Sequence, residues 1–244
     1  MMRSPTLRER LAGLVLLLAG ACLLLELLAG PVYRLQWASL KVALGTMRWS
    51  ATLAAVLFAL ALLLALFAGR RLSPPARRQC LVAALLSLLA FAPPAYMWTQ
   101  VNQLPHIHDI STDTEDPPLF VAIAPLRQNA PNGLAYSAVV AAQQKQGYPD
   151  IAPLMLALPA QQAFERAKTV AADMGWELVA AEPAELRLEA TATTLLFGFK
   201  DDVVVRVRPQ GQGSRVDVRS VSRVGGSDFG TNAKRVRAYL AKLQ

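Results

Sequence analysis

Apolar positions divide this chain into two parts before any other property is considered. Between residues 11 and 98 they gather into three long runs, at 11–29, 51–68 and 80–98, and from residue 101 onward the pattern turns short and alternating. Apolar runs of this length, wound at ~1.5 Å per residue, cross the ~30 Å hydrocarbon layer of a bilayer. Three transmembrane helices are therefore expected in residues 1–100, followed by a folded domain over residues 101–244. Glu26 interrupts the first run, where a carboxylate is costly unless it snorkels, packs against another helix or has a functional role. Residues 31–50 read as a loop with helical character: Tyr33, Trp37, Leu40 and Leu44 form one stripe and Arg34, Lys41 and Arg48 another. Such a segment suits the headgroup layer. Pro93 and Pro94 are expected to distort the third helix near its end.

In the second part, Ala163, Phe164, Ala167, Val170, Ala171 and Met174 recur at helical spacing between Pro159 and Gly175, predicting a helix over 159–174. Two strands follow, at 176–181 and 185–191, with Leu186, Leu188 and Ala190 on one face and Arg187, Glu189 and Thr191 on the other. Two more form a hairpin closed by residues 209–214. Val203, Val205 and Val207 alternate with Val204, Arg206 and Arg208, and Val216 and Val218 alternate with Arg215, Asp217 and Arg219. Arg206 and Arg208 then lie near Asp217 and Arg219, either as cross-strand pairs worth ~0.2–1 kcal/mol each or as an anion-binding surface. The last helix, 233–243, turns Val236, Tyr239, Leu240 and Leu243 inward and Lys234, Arg235, Arg237 and Lys242 outward. Residues 121–158, rich in proline and glycine, read as an irregular wrap with one helical stretch at 135–144. The fold class expected is α+β: an antiparallel four-stranded sheet with two helices on one face, preceded by three transmembrane helices.

Charge follows the same boundary. The net +8 lies wholly in residues 1–100, where ten cations face only Glu9 and Glu26, whereas residues 101–244 carry fifteen of each sign. The basic balance thus reflects the flanks of membrane helices, and nucleic acid is not an expected partner. Arg3, Arg8, Arg10 and the arginines at 70, 71, 77 and 78 outnumber the three cations of residues 31–50. By the positive-inside rule they belong in the cytoplasm, so the N-terminus is cytoplasmic and residues 99–244 lie outside it, in the periplasm of a Gram-negative cell. The membrane is then the inner, cytoplasmic one. The residues around Cys22 resemble a lipoprotein cleavage site, but Ala19 stands where leucine is usual and an apolar stretch follows.

Candidate chemistry is sparse. Cys22 and Cys80 are the only cysteines, both in the first part, so the second part has no disulfide or thiolate zinc site. His106 and His108 precede Asp109, Asp113, Glu115 and Asp116. A metal site there lacks a third remote ligand; the alternative is an extended segment whose aspartates cap turns before Pro117 and Pro118. Gly225 and Gly230 have phosphate-loop spacing, but Thr231 and Asn232 stand where Lys and Ser/Thr are needed. The start of the last helix can still hold a phosphate or a carboxylate, Asp228 included. No cofactor motif is present.

The segments HDISTD (108–113) with Pro117 and Pro118, YPDIAPL (148–154), GFKDDVVVRV (198–207) and DVRSVSRVGGSDFGTNAKRV (217–236) together resemble a bacterial and plastid family known as domain of unknown function 1499. The resemblance covers roughly residues 104–243, and the multi-span N-terminus is similar to that of membrane-bound members. The matching positions are Asp109, Asp113, Asp202, Arg206, Asp217, Arg219, Ser220, Ser222, Arg223, Gly225, Asp228, Gly230 and Asn232. In the family pattern His106 is absent and the position of His108 is often asparagine. The order helix, four strands, helix is also similar to helix-grip and TATA-binding-type topologies, in which a curved sheet grips a ligand or partner. Two functions are open. One is a membrane-anchored, extracytoplasmic binding or assembly module of the cell envelope, in contact with the bilayer and with a lipid or another envelope protein. The other is a membrane-bound hydrolase using His108, Asp109 and Asp113 with arginines as anion clamps.

Overall fold

The computed structural model describes residues 6–67, 72–101 and 103–244. Arg3, Ala68, Arg70 and Arg71, used above, lie outside the described residues. The chain divides into two compact units, Met1–Gln100 and Val101–Gln244. The first holds three helices, α1 (Leu7–Arg34), α2 (Leu40–Phe67) and α3 (Pro74–Val101), each long and apolar enough to cross a membrane. At 28 residues each they outrun the apolar runs, since backbone hydrogen bonding continues beyond the hydrocarbon layer. Residues 31–34 and 40–50 are therefore parts of α1 and α2, and only 35–39 separate them. The stripe expected across 31–50 is split between two helices. α3 likewise runs through Pro93 and Pro94. A capping box of Thr6 and Glu9 starts α1.

Small side chains line the contacts within this unit. Ala19, Ala54, Ala61, Ala83, Ala84 and Ala90 cluster with Val15, Cys22 and Leu57, the packing that lets helices approach closely in lipid. Glu26 is buried and its Oε1 accepts a hydrogen bond from Ser50 Oγ at 2.5 Å. It therefore packs against α2.

Among the described residues, the second unit is a six-stranded antiparallel sheet with three α-helices and a short 3-10 helix, Ala124–Arg127. Its strands are β1 (Asp109–Ser111), β2 (Leu154–Leu156), β3 (Glu177–Glu182), β4 (Arg187–Thr193), β5 (Lys200–Gln210) and β6 (Gly213–Ser222), and its helices are α4 (Ala138–Gly147), α5 (Ala160–Asp173) and α6 (Thr231–Leu243). The order is β1-β6-β5-β4-β3, with β2 also paired to β6. Four strands were expected because β1 and β2 are three residues each, too short for any periodicity to register. They share the outer edge of β6: Asp109 to Ser111 face Val221 to Arg219, and Leu154 to Leu156 face Val216 to Ser214. Between them Thr112 continues the ladder, its N–H donating to Val218 O and its Oγ1 accepting from Val218 N–H, both at 2.9 Å.

Valine alternation sets one face of the sheet. Val203, Val205, Val207, Val216 and Val218 are buried with Leu188 and Ala190 against Ala163, Phe164, Ala167 and Val170 of α5 and Val236, Tyr239 and Leu243 of α6. Val140 of α4 packs at the margin. Tyr239 ties the two longer helices together: its hydroxyl donates to Ala167 O at 2.7 Å and its ring stacks on Trp176 at 4.8 Å between centroids. The other face is also buried, but it is mostly charged. Residues 112–137, a strap, cross that face and leave a small apolar cluster of Phe120, Ile123, Val204 and Val221.

The β5–β6 turn gives a paired test of these contacts. A Cβ on Gly213 would stand 2.2 Å from the backbone oxygen of Leu156 in β2, whereas one on Gly211 meets open space but at φ +59°. Gly213→Ala is expected to destabilise by ~1–3 kcal/mol through forced separation of β2 and β6. Gly211→Ala is expected to cost ~1–2 kcal/mol through backbone strain alone. Hydrogen exchange at the β2 amides separates the two effects, because only the first substitution should raise it.

Candidate functional site

The charged face of the sheet collects most of the residues singled out in the sequence, and it is built from pairs reaching between the strap and the strands. Side chains on alternate positions of β4, β5 and β6 bring Glu189, Thr191, Asp202, Arg206, Asp217 and Arg219 to this face, through the register Thr191↔Asp202 and Arg206↔Asp217. Asp202 is fully buried. It accepts from Arg127 Nη1 at 2.5 Å, from Arg223 Nε and Nη2 at 2.8 Å each, and from Thr191 Oγ1 at 2.7 Å. Burial pushes its carboxyl up, but the hydrogen bonds from Arg223, Thr191 and Arg127 outweigh that and hold it below the ordinary value.

A second buried pair lies at the β1 edge. Arg219 grips Asp109 with both arms, Nε to Oδ1 at 3.0 Å and Nη2 to Oδ2 at 2.7 Å. The same guanidinium donates to Pro118 O at 3.3 Å and Leu134 O at 2.7 Å, and it stands 5.4 Å from the ring centres of both Phe120 and Tyr136. Burial pushes the Tyr136 hydroxyl up, so it stays protonated and donates to Gln144 Oε1 at 3.0 Å. Gln144 in turn pairs with the backbone of Ser111, accepting from its N–H at 2.8 Å and donating to its oxygen at 2.6 Å, which closes the outer edge of β1.

At the hairpin end the pairs are more open. Asp217 is buried between Arg206 at 3.1 Å and Arg215 Nε at 3.1 Å. Asp113 accepts from Arg215 at 2.6 Å and Arg206 at 3.4 Å, and Asp116 from Arg208 at 2.5 Å. Asp113 also caps its own turn, accepting from the N–H groups of Glu115 at 3.1 Å and Asp116 at 2.9 Å, as the alternative to a metal site requires. Hydrogen bonding by Arg208 holds the Asp116 carboxyl below its ordinary value. Three arginines here meet three aspartates, and of these Arg208 and Asp116 stay the most exposed. Directly across the hairpin, Arg208 faces Arg215 rather than Asp217, and Arg219 turns away to Asp109.

Ser220, Ser222 and Asn232 lie on the opposite, helix-bearing face. Asn232 is buried, accepting from Ser220 Oγ at 2.7 Å and donating to Ser222 Oγ at 2.9 Å and His108 O at 3.0 Å. It pins α6 to β6 and to the segment before β1. Arg235 was expected outward; its arm instead reaches back to Asp201 at 2.5 Å and is largely covered. Asp228 takes the α6 start itself, accepting from the N–H groups of Gly230 at 2.9 Å and Asn232 at 2.7 Å, while burial raises its carboxyl above the ordinary value. Gly225 has φ +93°, and its oxygen accepts from Asn132 Nδ2 at 2.9 Å.

The candidate residues thus form three groups and do not converge on one reacting centre. His108 lies near Gly226 O at 3.4 Å, Asp109 is taken by Arg219, and Asp113 belongs to the hairpin end. Among the described residues no group of three or more His, Cys, Asp or Glu side chains could hold a metal ion. Arg127 and Glu189 were missed as site residues. Glu189 is fully buried; it accepts from the N–H groups of Val121, Ala122 and Ile123 at 2.8–3.1 Å and pairs with Arg187. Arg127 had one signal available, being the sole cation of residues 101–144. An open recess of about 430 Å³ beside the strap is lined by Thr114, Glu115, Tyr136, Ser137 and Lys145, among others.

Two expectations follow for stability. Arg219→Ala strands the buried Asp109 and should cost ~3–5 kcal/mol, whereas Arg208→Ala, at a half-exposed pair, should cost ~0–1 kcal/mol, as read by urea unfolding of the detergent-solubilised chain. A depressed carboxyl contributes stability that is complete above the unfolded value of ~3.9 and is lost as pH falls through its folded value. Asp202 works in this sense, and Asp228, being raised, works in the opposite one. Asp202→Asn should therefore be less stable at neutral pH and lose less stability than the parent as pH falls below ~4.

Comparison with known proteins agrees with this geometry in extent. Residues 109–243, from the first residue of β1 to the last of α6, match the family described as "Protein of unknown function (DUF1499)". No curated protein matches the chain. The match takes in both buried pairs, the hairpin and the α6 junction, and covers more than half of the chain, which therefore belongs to the DUF1499 family.

Proposed function

We propose that this chain is a membrane-anchored binding or assembly module of the cell envelope, held in the cytoplasmic membrane by α1–α3 with its folded domain outside the cytoplasm. The observation that carries this reading over a hydrolase is the commitment of the acidic residues. Both oxygens of Asp109 are occupied by Arg219, and Asp113 is shared between two arginines and two backbone N–H groups, while His108 lies apart. A general base or nucleophile needs an accessible lone pair beside a substrate pocket, and these carboxylates offer none. What they do instead is fix the strap. The partially open hairpin end and the recess beside Tyr136 are then the surfaces for a lipid headgroup or another envelope protein. The charge-balanced domain gives no basis for nucleic-acid binding.

Orientation rests on the excess of arginines before α1 and between α2 and α3. Alkaline phosphatase fused after Gln244 should be active and green fluorescent protein at the same point dark; the reverse pattern overturns the extracytoplasmic assignment. For the binding role, lipid extracted from the purified chain is compared between parent and Arg208→Ala. A lipid retained by the parent and lost from the folded variant supports headgroup recognition at the hairpin end.

A further inference from the structure

Two arginines stand directly opposite each other at the open end of the β5–β6 hairpin. Arg208 pairs with Arg215 across the strands, an arrangement that is destabilising unless anions separate the two charges. Arg215 has two such partners, Asp113 at 2.6 Å and Asp217 at 3.0 Å. Arg208 has one: among the described residues its ion pair is with Asp116 alone, Nη2 to Oδ2 at 2.5 Å. The same Oδ2 accepts from Arg206 Nη1 at 3.3 Å, so both arginines of this stretch of β5 converge on a single oxygen. The hydrogen bond from Arg208, with the charges of Arg206, Arg208 and Arg215 around it, holds the Asp116 carboxyl below its ordinary value.

Asp116 fills this position without its side chain being needed to hold the strap there. Its backbone is fixed separately: the N–H donates to Asp113 Oδ1 at 2.9 Å, and the oxygen accepts from Arg206 Nη2 at 2.8 Å. Pro117 follows, its φ fixed by the ring. The carboxylate is therefore free to swing into water while the strap stays in place. Little opposes that movement, because the Asp116 side chain is 62% exposed, that of Arg208 45%, and exposed ion pairs are weak. Asp109 and Asp202 differ in this respect: both are buried on their arginines and have nowhere to go.

We infer that the Asp116 carboxylate is an internal stand-in for a phosphodiester, and that Arg206, Arg208 and Arg215 hold a headgroup phosphodiester in its place when it swings away. Charge selects the ligand. Without Asp116, three guanidiniums remain against Asp113 and Asp217, an excess of one positive charge. A phosphodiester carries one negative charge, whereas a phosphomonoester carries about −1.5 to −2 at neutral pH and meets repulsion from the two aspartates. A free carboxylate has the right charge but repeats what Asp116 offers, and it competes against a tethered copy at high effective concentration. A phosphodiester adds acceptor oxygens that match the arginine forks. The inference rests on the hairpin end being a binding surface, as proposed above, and the test keeps the two apart.

Full-length chain in non-ionic detergent is titrated calorimetrically with glycerophosphoglycerol, a soluble diester, and with short-chain phosphatidylglycerol. Asp116→Ala and Asp116→Asn are each expected to bind the diesters roughly fivefold more tightly than the parent, as removal of a competing closed state requires. Adding Arg208→Ala to either should abolish the gain. Urea unfolding establishes that each variant is folded, and the asparagine variant keeps the side-chain shape. No gain in the folded Asp116 variants overturns the inference; the binding reading survives if Arg208→Ala still loses a lipid that the parent retains, and falls with it if not. An equal gain for acetate, or a larger one for glycerol phosphate, also overturns it, because charge and oxygen number would then not select the ligand. Like affinity for the two diesters supports the phosphodiester as the whole ligand, and a marked preference for the acylated one supports a lipid as its source.

Discussion

Asp202 has no route to water, and the domain is arranged so that it needs none. Its carboxylate is met from the strap by Arg127, from beyond β6 by Arg223 and from β4 by Thr191. Desolvating an ion costs several kcal/mol, and only a complete set of donors returns it. One carboxylate thus forces three separate pieces of chain to a single point. Glu189 and Asp109 impose the same demand on residues 121–123 and on Arg219. The consequence is a sheet buried on both faces by different means: apolar packing beneath α5 and α6, and paired charge beneath the strap.

That division explains how much was legible in the sequence. Wherever burial is apolar and local, periodicity gave the answer: the valines of β5 and β6, the Ala163 to Val170 stripe of α5 and the inward face of α6 stand where their spacing puts them. Asp113 was readable too, because an aspartate capping its own turn is a local event. The charged face was not, since its pairs join residues far apart in sequence, Arg127 to Asp202 across 75 positions and Arg219 to Asp109 across 110. Spacing within a strand cannot say whether an arginine will turn to its cross-strand neighbour or to a distant loop. Arg235 makes the same point on a helix: its position on the wheel is polar, yet a long flexible arm brings its head to Asp201. β1 and β2 were hidden for a simpler reason, as three residues contain no period.

The charge balance of the second unit acquires a physical meaning from these pairs. Fifteen cations and fifteen anions could be an accident of composition. Here the buried members are matched partner by partner, and the open hairpin end repeats the equality with three aspartates against three arginines. The charged residues of this face are therefore explained first by the cost of leaving any one of them unpaired. Recognition is left to the surfaces these pairs hold in place.

The shared outer edge of β6 carries a consequence for the order of assembly. β1, the strap, α4 and β2 all leave the ribosome before the strand they must pair with, and β1 waits for partners 110 positions downstream. Until the β5–β6 hairpin emerges, a stretch rich in unmatched carboxylates has nothing to fold upon. Within the second unit, residues 101–200 carry eleven anions against six cations and residues 201–244 nine cations against four anions, so the charges can be matched only when the last stretch arrives.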